Sequence, residues 1–324
     1  MYIFTEQEIR KCVELNLDTI SVIENAFTDL ADGKVTTPPI MRVDLSEHDG
    51  EVDVKSAYIK GKEFFAIKIS SGFFKNPLRG LPSGSGMMTL FSTKTGVPAA
   101  VLLDNGYLTD VRTAAAGAIA SKYLAKRNVA VAGIIGTGLQ ARYQAQALLY
   151  VRKYDEVLVY GRDKSRAEKF AKDMQPVLGV SITVAASSEQ VVRGSDVVVT
   201  TTPARSPIIQ NGWLHAGLHV TAMGSDAEHK QELDENVLRI ADLVVCDLKS
   251  QCLRLGELHY AAEQGMLLEQ VIELGEVTSR KHPGRTNDEQ VTVCDLTGTG
   301  VQDTAIAQYA YTRLLEQGLG MRIE

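Results

Sequence analysis

Six residues constrain this chain more than any others. Gly136-Thr137-Gly138-Leu139-Gln140-Ala141 fits the pattern G-x-G-x-x-G/A inside "VAVAGIIGTGLQARYQAQALLYV", which reads as strand, glycine turn and helix. The first glycine permits a tight turn, the second lets backbone approach a pyrophosphate, and Ala141 lets helix and strand pack closely. Phosphates would sit at the helix N-terminus, where free N–H groups and the helix dipole favour an anion. The six residues alone could be a bare βα turn. Context gives them weight: a strand precedes, a helix follows, and "EVLVY" supplies a second strand at the distance a dinucleotide fold requires. At the end of that strand an acid would bond the ribose 2′-OH of NAD, whereas an arginine would accommodate the 2′-phosphate of NADP. Here Arg162 is followed by Asp163, which leaves both coenzymes, NAD and NADP, open.

The rest of the chain sorts into two textures. After Asn128, "SITVAAS", "SDVVVTTTP", "LHVTAMGSD" and "ADLVVCDL" are apolar runs without polar alternation, separated by helical segments. That is the pattern of a parallel sheet covered on both faces. Before it, "IMRVDL", "EVDVKSAYIK", "FFAIKIS", "GMMTLFST" and "KTGVPAAVLLD" alternate as the strands of an antiparallel or mixed sheet do. Helical spacing precedes these strands in "TEQEIRKCVELNLDTISVIENAFTDLADGK", and two more helices are expected in "TDVRTAAAGAIASKYLAKRN" and "GTGVQDTAIAQYAYTRLLEQG". The expected fold is α/β: a Rossmann-type doubly wound parallel sheet with a smaller α+β domain. A length of 324 residues suits two domains.

Composition narrows the function classes. A net charge of −6 without a dense Lys/Arg stripe argues against a nucleic-acid partner. No apolar run approaches the roughly 20 residues that span a bilayer, so no membrane partner is expected. "MYIFTEQEIRKCVEL" is polar and amphipathic, without the basic segment and following apolar one expected of a signal peptide. Cys12, Cys246, Cys252 and Cys294 lack metal or disulfide spacing and read as reduced thiols of a cytoplasmic protein.

One aspartate raises a separate question. In "HVTAMGSDAEHK" Asp226 stands where a buried strand has just ended. It is either a helix N-cap or an acid at the carboxyl edge of the parallel sheet, where ligands bind in such folds.

Several segments together resemble the ornithine cyclodeaminase/mu-crystallin family: "FFAIKIS", "GLPSGSGMMTLFSTKTG", "DNGYLTDVRTAAAGAIASKYLA", "GIIGTGLQA", "AMGSD" and "DLTGTGVQDTAIA". They span nearly the whole chain in order. The versions here are most similar to the subgroup of iminosuccinate reductases and ectoine-utilization cyclodeaminase-like proteins. The resemblance implies a homodimer of two-domain subunits acting on a small amino or imino acid with NAD or NADP. Residues 1–112 with 301–324 would form the substrate-binding and dimerization domain, and 113–300 the coenzyme domain.

On the family's positions, Arg42, Lys68 and Arg112 are the cations for the substrate carboxylate, and Lys68 is also a candidate proton relay. Asp226 matches the catalytic aspartate. Coenzyme contacts are expected from Gly136, Thr137, Gly138, Leu139 and Gln140, and from Thr113, Arg162, Thr200, Thr201, Thr202, Met223, Gly224, Thr297 and Gly298. The three threonines could instead be strand filling, His229 and Lys230 read as a surface loop, and His259 as structural. No metal constellation stands out. By count back from Lys68, Lys55 in "VDVKSAY" falls in the neighbourhood where the ornithine enzymes have a glutamate for a second, cationic amine. It is expected to bind a second substrate carboxylate, the alternative being a surface pair with Glu51 or Asp53. An imine reductase, with iminosuccinate to aspartate as the favoured reaction, is therefore the leading expectation. A cyclodeaminase and a non-catalytic ligand-binding protein are the alternatives.

Overall fold

The computed structural model describes residues 1–265 and 268–324. The chain divides into one unit of Met1–Arg112 with Thr299–Glu324 and a second of Thr113–Gly298.

The first unit is built on a mixed sheet of eight strands. Its order runs Met321–Arg322, Tyr2–Thr5, Pro98–Leu103, Gly84–Ser92, Phe64–Phe73, Gly50–Ile59 and Val35–Thr36, with Met41–Leu45 also pairing Gly50–Ile59. All pairs are antiparallel except Tyr2–Thr5 beside Pro98–Leu103. One face buries Phe4, Ala57, Ile59, Ala66, Met88, Leu90, Ala100 and Leu102. The final helix, Gly300–Glu316, packs there, and its first residue lets the backbones approach closely. A Cβ on Gly300 would lie 2.2 Å from the Ser56 carbonyl oxygen. Thr304 Oγ1 donates to the Ala57 carbonyl at 2.8 Å and accepts from the Ala66 amide at 3.1 Å. These contacts fasten the helix to two adjacent strands.

The strand Gly50–Ile59 inverts the usual amphipathic rule. Glu51, Asp53 and Lys55 lie buried on the inner face, while Val52 and Val54 are half-exposed on the outer one. The opposite sheet face stays apolar, with Met41, Val43 and Ile69 exposed along it. The amino-terminal helical stretch is two helices, Glu6–Cys12 and Leu17–Ala31. The break follows from Asn16 and Thr19 forming a reciprocal capping box, which starts a new helix.

In the second unit eight parallel strands run in the order Ser181–Val184, Glu156–Tyr160, Val131–Ile135, Val197–Thr200, His219–Ala222, Thr292–Asp295, Leu243–Cys246 and Ile272–Glu273. The central strands are buried, as expected for a sheet covered on both faces. The order reverses between Val131–Ile135 and Val197–Thr200, the switch point where doubly wound sheets bind ligands. The fold is thus the expected α/β one. Among the described residues no helix is long and apolar enough to cross a membrane.

Candidate functional site

At the switch point, the strand Val131–Ile135 ends in Gly136, whose φ of +126° is a glycine conformation. A Cβ there would come within 2.3 Å of Thr201 Oγ1. Gly138 is different. It is the N-cap of the helix Leu139–Val151, with ordinary φ of −78° and no side-chain cap bond. A Cβ built on it meets nothing within 4 Å. No contact among the described residues demands a glycine at 138, and the space beside it is open. Ala141 is fully buried, as helix-to-strand packing requires, and Leu139 is exposed. Gly161, closing the second strand, abuts the Thr137 side chain. Arg162 is exposed, whereas Asp163 caps the next helix through Ser165 and Arg166. The local geometry therefore occupies the acid and leaves the arginine facing solvent.

A carboxylate the sequence reading missed organises the neighbouring strand ends. Glu232, fully buried, accepts from Thr200 Oγ1 at 2.6 Å, from Thr202 N and Oγ1 at 2.6 and 2.7 Å, and from Gly224 N at 2.8 Å. The hydroxyls of Thr200 and Thr202 thus point at Glu232, and Thr201 is the one packed against Gly136. A Cβ on Gly224 would strike the Thr202 carbonyl. Met223 accepts a contact from Gln144 Nε2, which also donates to the Thr113 carbonyl. Asp247 holds the turn Thr297–Gly298 in the same way, accepting from both amides at 2.9 and 2.6 Å. Buried carboxyls without cations beside them are costly when charged. Burial accordingly pushes Glu232 and Glu257 up, and Asp295 to about 7.

No helix follows Asp226: residues 227–229 form a turn, which removes the N-cap alternative. Its side chain is 36% exposed, and Oδ1 lies 2.7 Å from Lys230 Nζ. Lys230, expected in a surface loop, is instead buried. The reason is local: Ser225 Oγ donates to the Lys230 carbonyl and Lys230 N to that of Ala227, folding the segment back on itself. His229 is exposed.

The first unit gathers the cations. Lys55 and Lys68 are direct cross-strand partners, both buried, and such partners stand with Cβ atoms about 5 Å apart. Lys68 Nζ lies 3.1 Å from Asp303 Oδ2, and Arg112 Nε lies 3.0 Å from Asp303 Oδ1. Arg112 Nη1 also donates to Gln302 Oε1 at 2.9 Å. Burial lowers Lys68 to about 7; Asp303 opposes the shift, and Arg112 and Lys55 add to it. Asp104, before the helix Tyr107–Leu124, is raised to about 6 by burial although it accepts from the Leu108 amide. Arg42 lies within an acidic group. Its three guanidinium nitrogens engage Asp44, Glu51 and Asp53, all on its own or the adjacent strand. Those carboxylates raise its pKa against the cost of burial. So the structure brings Lys55, Lys68 and Arg112 together, whereas Arg42 pairs with acids one row along the sheet. Among the described residues no group of His, Cys, Asp and Glu is arranged to hold a metal.

Comparison with known proteins bears on both halves. The ornithine cyclodeaminase/mu-crystallin family model matches residues 2–318. An uncharacterized cyclodeaminase of Sinorhizobium fredii is 50% identical, over 100% of this chain and 99% of the relative. The Δ1-pyrroline-2-carboxylate reductase of Thermococcus litoralis, solved with NADH and L-proline, superimposes with a TM-score of 0.94 at 31% identity over 100% of both chains. The iminosuccinate reductase of Paracoccus denitrificans, solved with NAD+, gives a TM-score of 0.91 at 29% identity, covering 100% of this chain and 99% of the other.

Proposed function

The chain belongs to the ornithine cyclodeaminase/mu-crystallin family, and we propose that it is an NAD(P)H-dependent imine reductase that forms a small L-amino acid, with iminosuccinate reduced to aspartate as the reaction. The observation that carries this reading is Lys55, buried directly across from Lys68. A diamine substrate would bring a second ammonium towards these two cations. At about 6 Å and an effective dielectric near 20 the repulsion from Lys55 costs about 3 kcal/mol, while Asp303 offsets that from Lys68. A second substrate carboxylate gains from the same arrangement.

The coenzyme is held by the turn Gly136–Gln140, whose helix begins without a side-chain cap and whose Gly138 faces open space. Thr113, Thr200, Thr201, Thr202, Met223, Gly224, Thr297 and Gly298 shape its surroundings. Several do so through backbone held by Glu232 and Asp247 rather than through their own side chains. Arg162 is the residue that would read a 2′-phosphate. Bound nicotinamide supplies hydride to the imine carbon. Lys68 and Arg112 grip the α-carboxylate, and Lys55 grips the second one. Asp226, paired with Lys230, exchanges the proton at the substrate nitrogen. The exposed apolar row of Met41, Val43 and Ile69 supports a homodimer formed through the outer sheet face, because monomers seldom leave such a face open.

The test is oxidation of NADH and NADPH with oxaloacetate plus ammonium, with L-aspartate measured as product, beside the same assay with pyruvate. Aspartate formation with a preference for the dicarboxylate supports the reading. Turnover of ornithine with ammonia release, and none of oxaloacetate, would replace it with a cyclodeaminase.

A further inference from the structure

The final helix carries a carboxylate that no part of the reaction above requires, yet it lies at the centre of the cation cluster. Asp303 has no solvent exposure, and its two oxygens are divided between Lys68 Nζ and Arg112 Nε. Its place is set by the backbone around it. Gly300 seats the helix on the Ser56 carbonyl, and Thr304 bonds the Ala57 carbonyl and the Ala66 amide. Asp303 therefore sits between two fixed neighbours in the first turn, where the helix dipole also favours a negative charge. Gln302, the preceding residue, takes Arg112 Nη1. Two adjacent side chains of one helix turn thus set the plane of the Arg112 guanidinium.

We propose that Asp303 is a positioning residue for substrate binding: it orients Lys68 and Arg112 towards the substrate carboxylate and keeps Lys68 protonated. The proposal rests on the reading of Lys68 and Arg112 as carboxylate ligands. Each charged group facing Lys68 has a defined part. Lys55 on the adjacent strand and Arg112 on the helix Tyr107–Leu124 both favour loss of its proton. Asp303 on the final helix opposes them, with Asp104 acting in the same sense. The partner on the other neighbouring strand, Met88, carries no charge. Among the described residues only Asp303 touches Lys68 Nζ as an ion pair. With Lys68 near 7, its grip on a carboxylate is present below that pH and lost as pH rises through it. Removing Asp303 moves that loss to lower pH.

The experiment measures kcat/KM for oxaloacetate from pH 6 to 9 at fixed total ammonium, each variant expressed as a ratio to the parent protein so that ammonium ionisation cancels. In Asp303→Asn the alkaline fall should move down by about one to three pH units, the effect of losing an opposite charge at contact distance. The change should lie mainly in KM, with the thermal shift on adding coenzyme unaltered. Asp303→Glu keeps the charge and displaces it, so the midpoint should stay while KM rises. A ratio for Asp303→Asn that is flat across pH overturns the proposal. If that variant does not fold, a midpoint in Asp303→Glu lowered by a unit or more overturns it, and an unmoved midpoint with raised KM supports it. Lys68→Met separates the two levels. If it leaves KM unchanged, the carboxylate-binding reading of Lys68 fails; if it raises KM while Asp303→Asn leaves the pH profile in place, only the role of Asp303 fails.

Discussion

Replacing Gly138 with valine separates what the protein needs at that position from what its ligand needs. A Cβ there has no protein atom within 4 Å, and φ is −78°. A β-branched residue is therefore tolerated sterically in the unliganded fold. Two small terms remain. Valine is a poorer N-cap than glycine by about 0.5–1 kcal/mol, and loss of glycine's freedom in the unfolded chain returns about 0.4–1 kcal/mol. They nearly cancel, so the unliganded melting temperature should stay within about 2 °C of the parent. Coenzyme binding should not survive so well, because the valine methyl groups occupy the approach to the helix N-terminus. At a concentration of 100 Kd a ligand stabilises by about 2.7 kcal/mol, which is about 5–11 °C for a domain of 150–250 residues. A hundredfold loss of affinity reduces the same addition to about 0.4 kcal/mol, or roughly 1–2 °C. The assay is a pair of thermal melts, with and without NADH or NADPH. Full coenzyme stabilisation of Gly138→Val would show that the phosphates bind elsewhere. An unfolded variant would show that the space above Gly138 is not open. Gly136→Ala is the opposite case: φ of +126° and the nearness of Thr201 should cost about 1–3 kcal/mol even without ligand.

Further variants test the other assignments. Asp226→Asn should retain the coenzyme-induced thermal shift while kcat falls by about 10²–10⁴, since the amide cannot exchange a proton; near-normal kcat would remove Asp226 from proton transfer. Lys55→Met should raise KM for oxaloacetate by about 10- to 100-fold, the worth of one charge-assisted bond, and spare pyruvate. Equal effects on both substrates would take Lys55 out of the site. Val54→Asp, on the outer face beside Met41 and Ile69, should convert a dimer to monomers in sedimentation analysis. A variant that stays dimeric would place the interface on another surface.

What the sequence disclosed depended on whether the chemistry was local. The dinucleotide turn was legible because glycine conformation and helix start are written in six consecutive residues, and the uniformly apolar strands announced a sheet buried on both faces. The strand Gly50–Ile59 was only half legible. Alternation separates Asp53 and Lys55 from Val52 and Val54, but it does not say which set faces inward. Here the charged set does: Arg42 compensates Glu51 and Asp53, and Lys55 interacts with Asp303 of the final helix. Asp303 and Gln302 were invisible for a related reason. Their partner Arg112 lies about 190 residues away, and an acid in a helix's first turn ordinarily reads as favourable to the dipole and nothing more. Glu232 looks like a surface acid in a polar stretch and Asp247 like an acid at the end of an apolar strand, and only the fold shows them collecting loop amides. Asp226 was ambiguous because a cap and a site acid share one sequence signature. The turn at 227–229 resolves the first half of that choice.

The most direct test follows the hydride. The protein is incubated with oxaloacetate, ammonium and nicotinamide coenzyme carrying deuterium at both C4 positions, and the amino acid formed is analysed by mass spectrometry and proton NMR. Imine reduction predicts one coenzyme oxidised per amino acid made, with one deuterium at Cα of L-aspartate. Deuterium-free product, or ammonia released from ornithine with no net change in coenzyme, would contradict it.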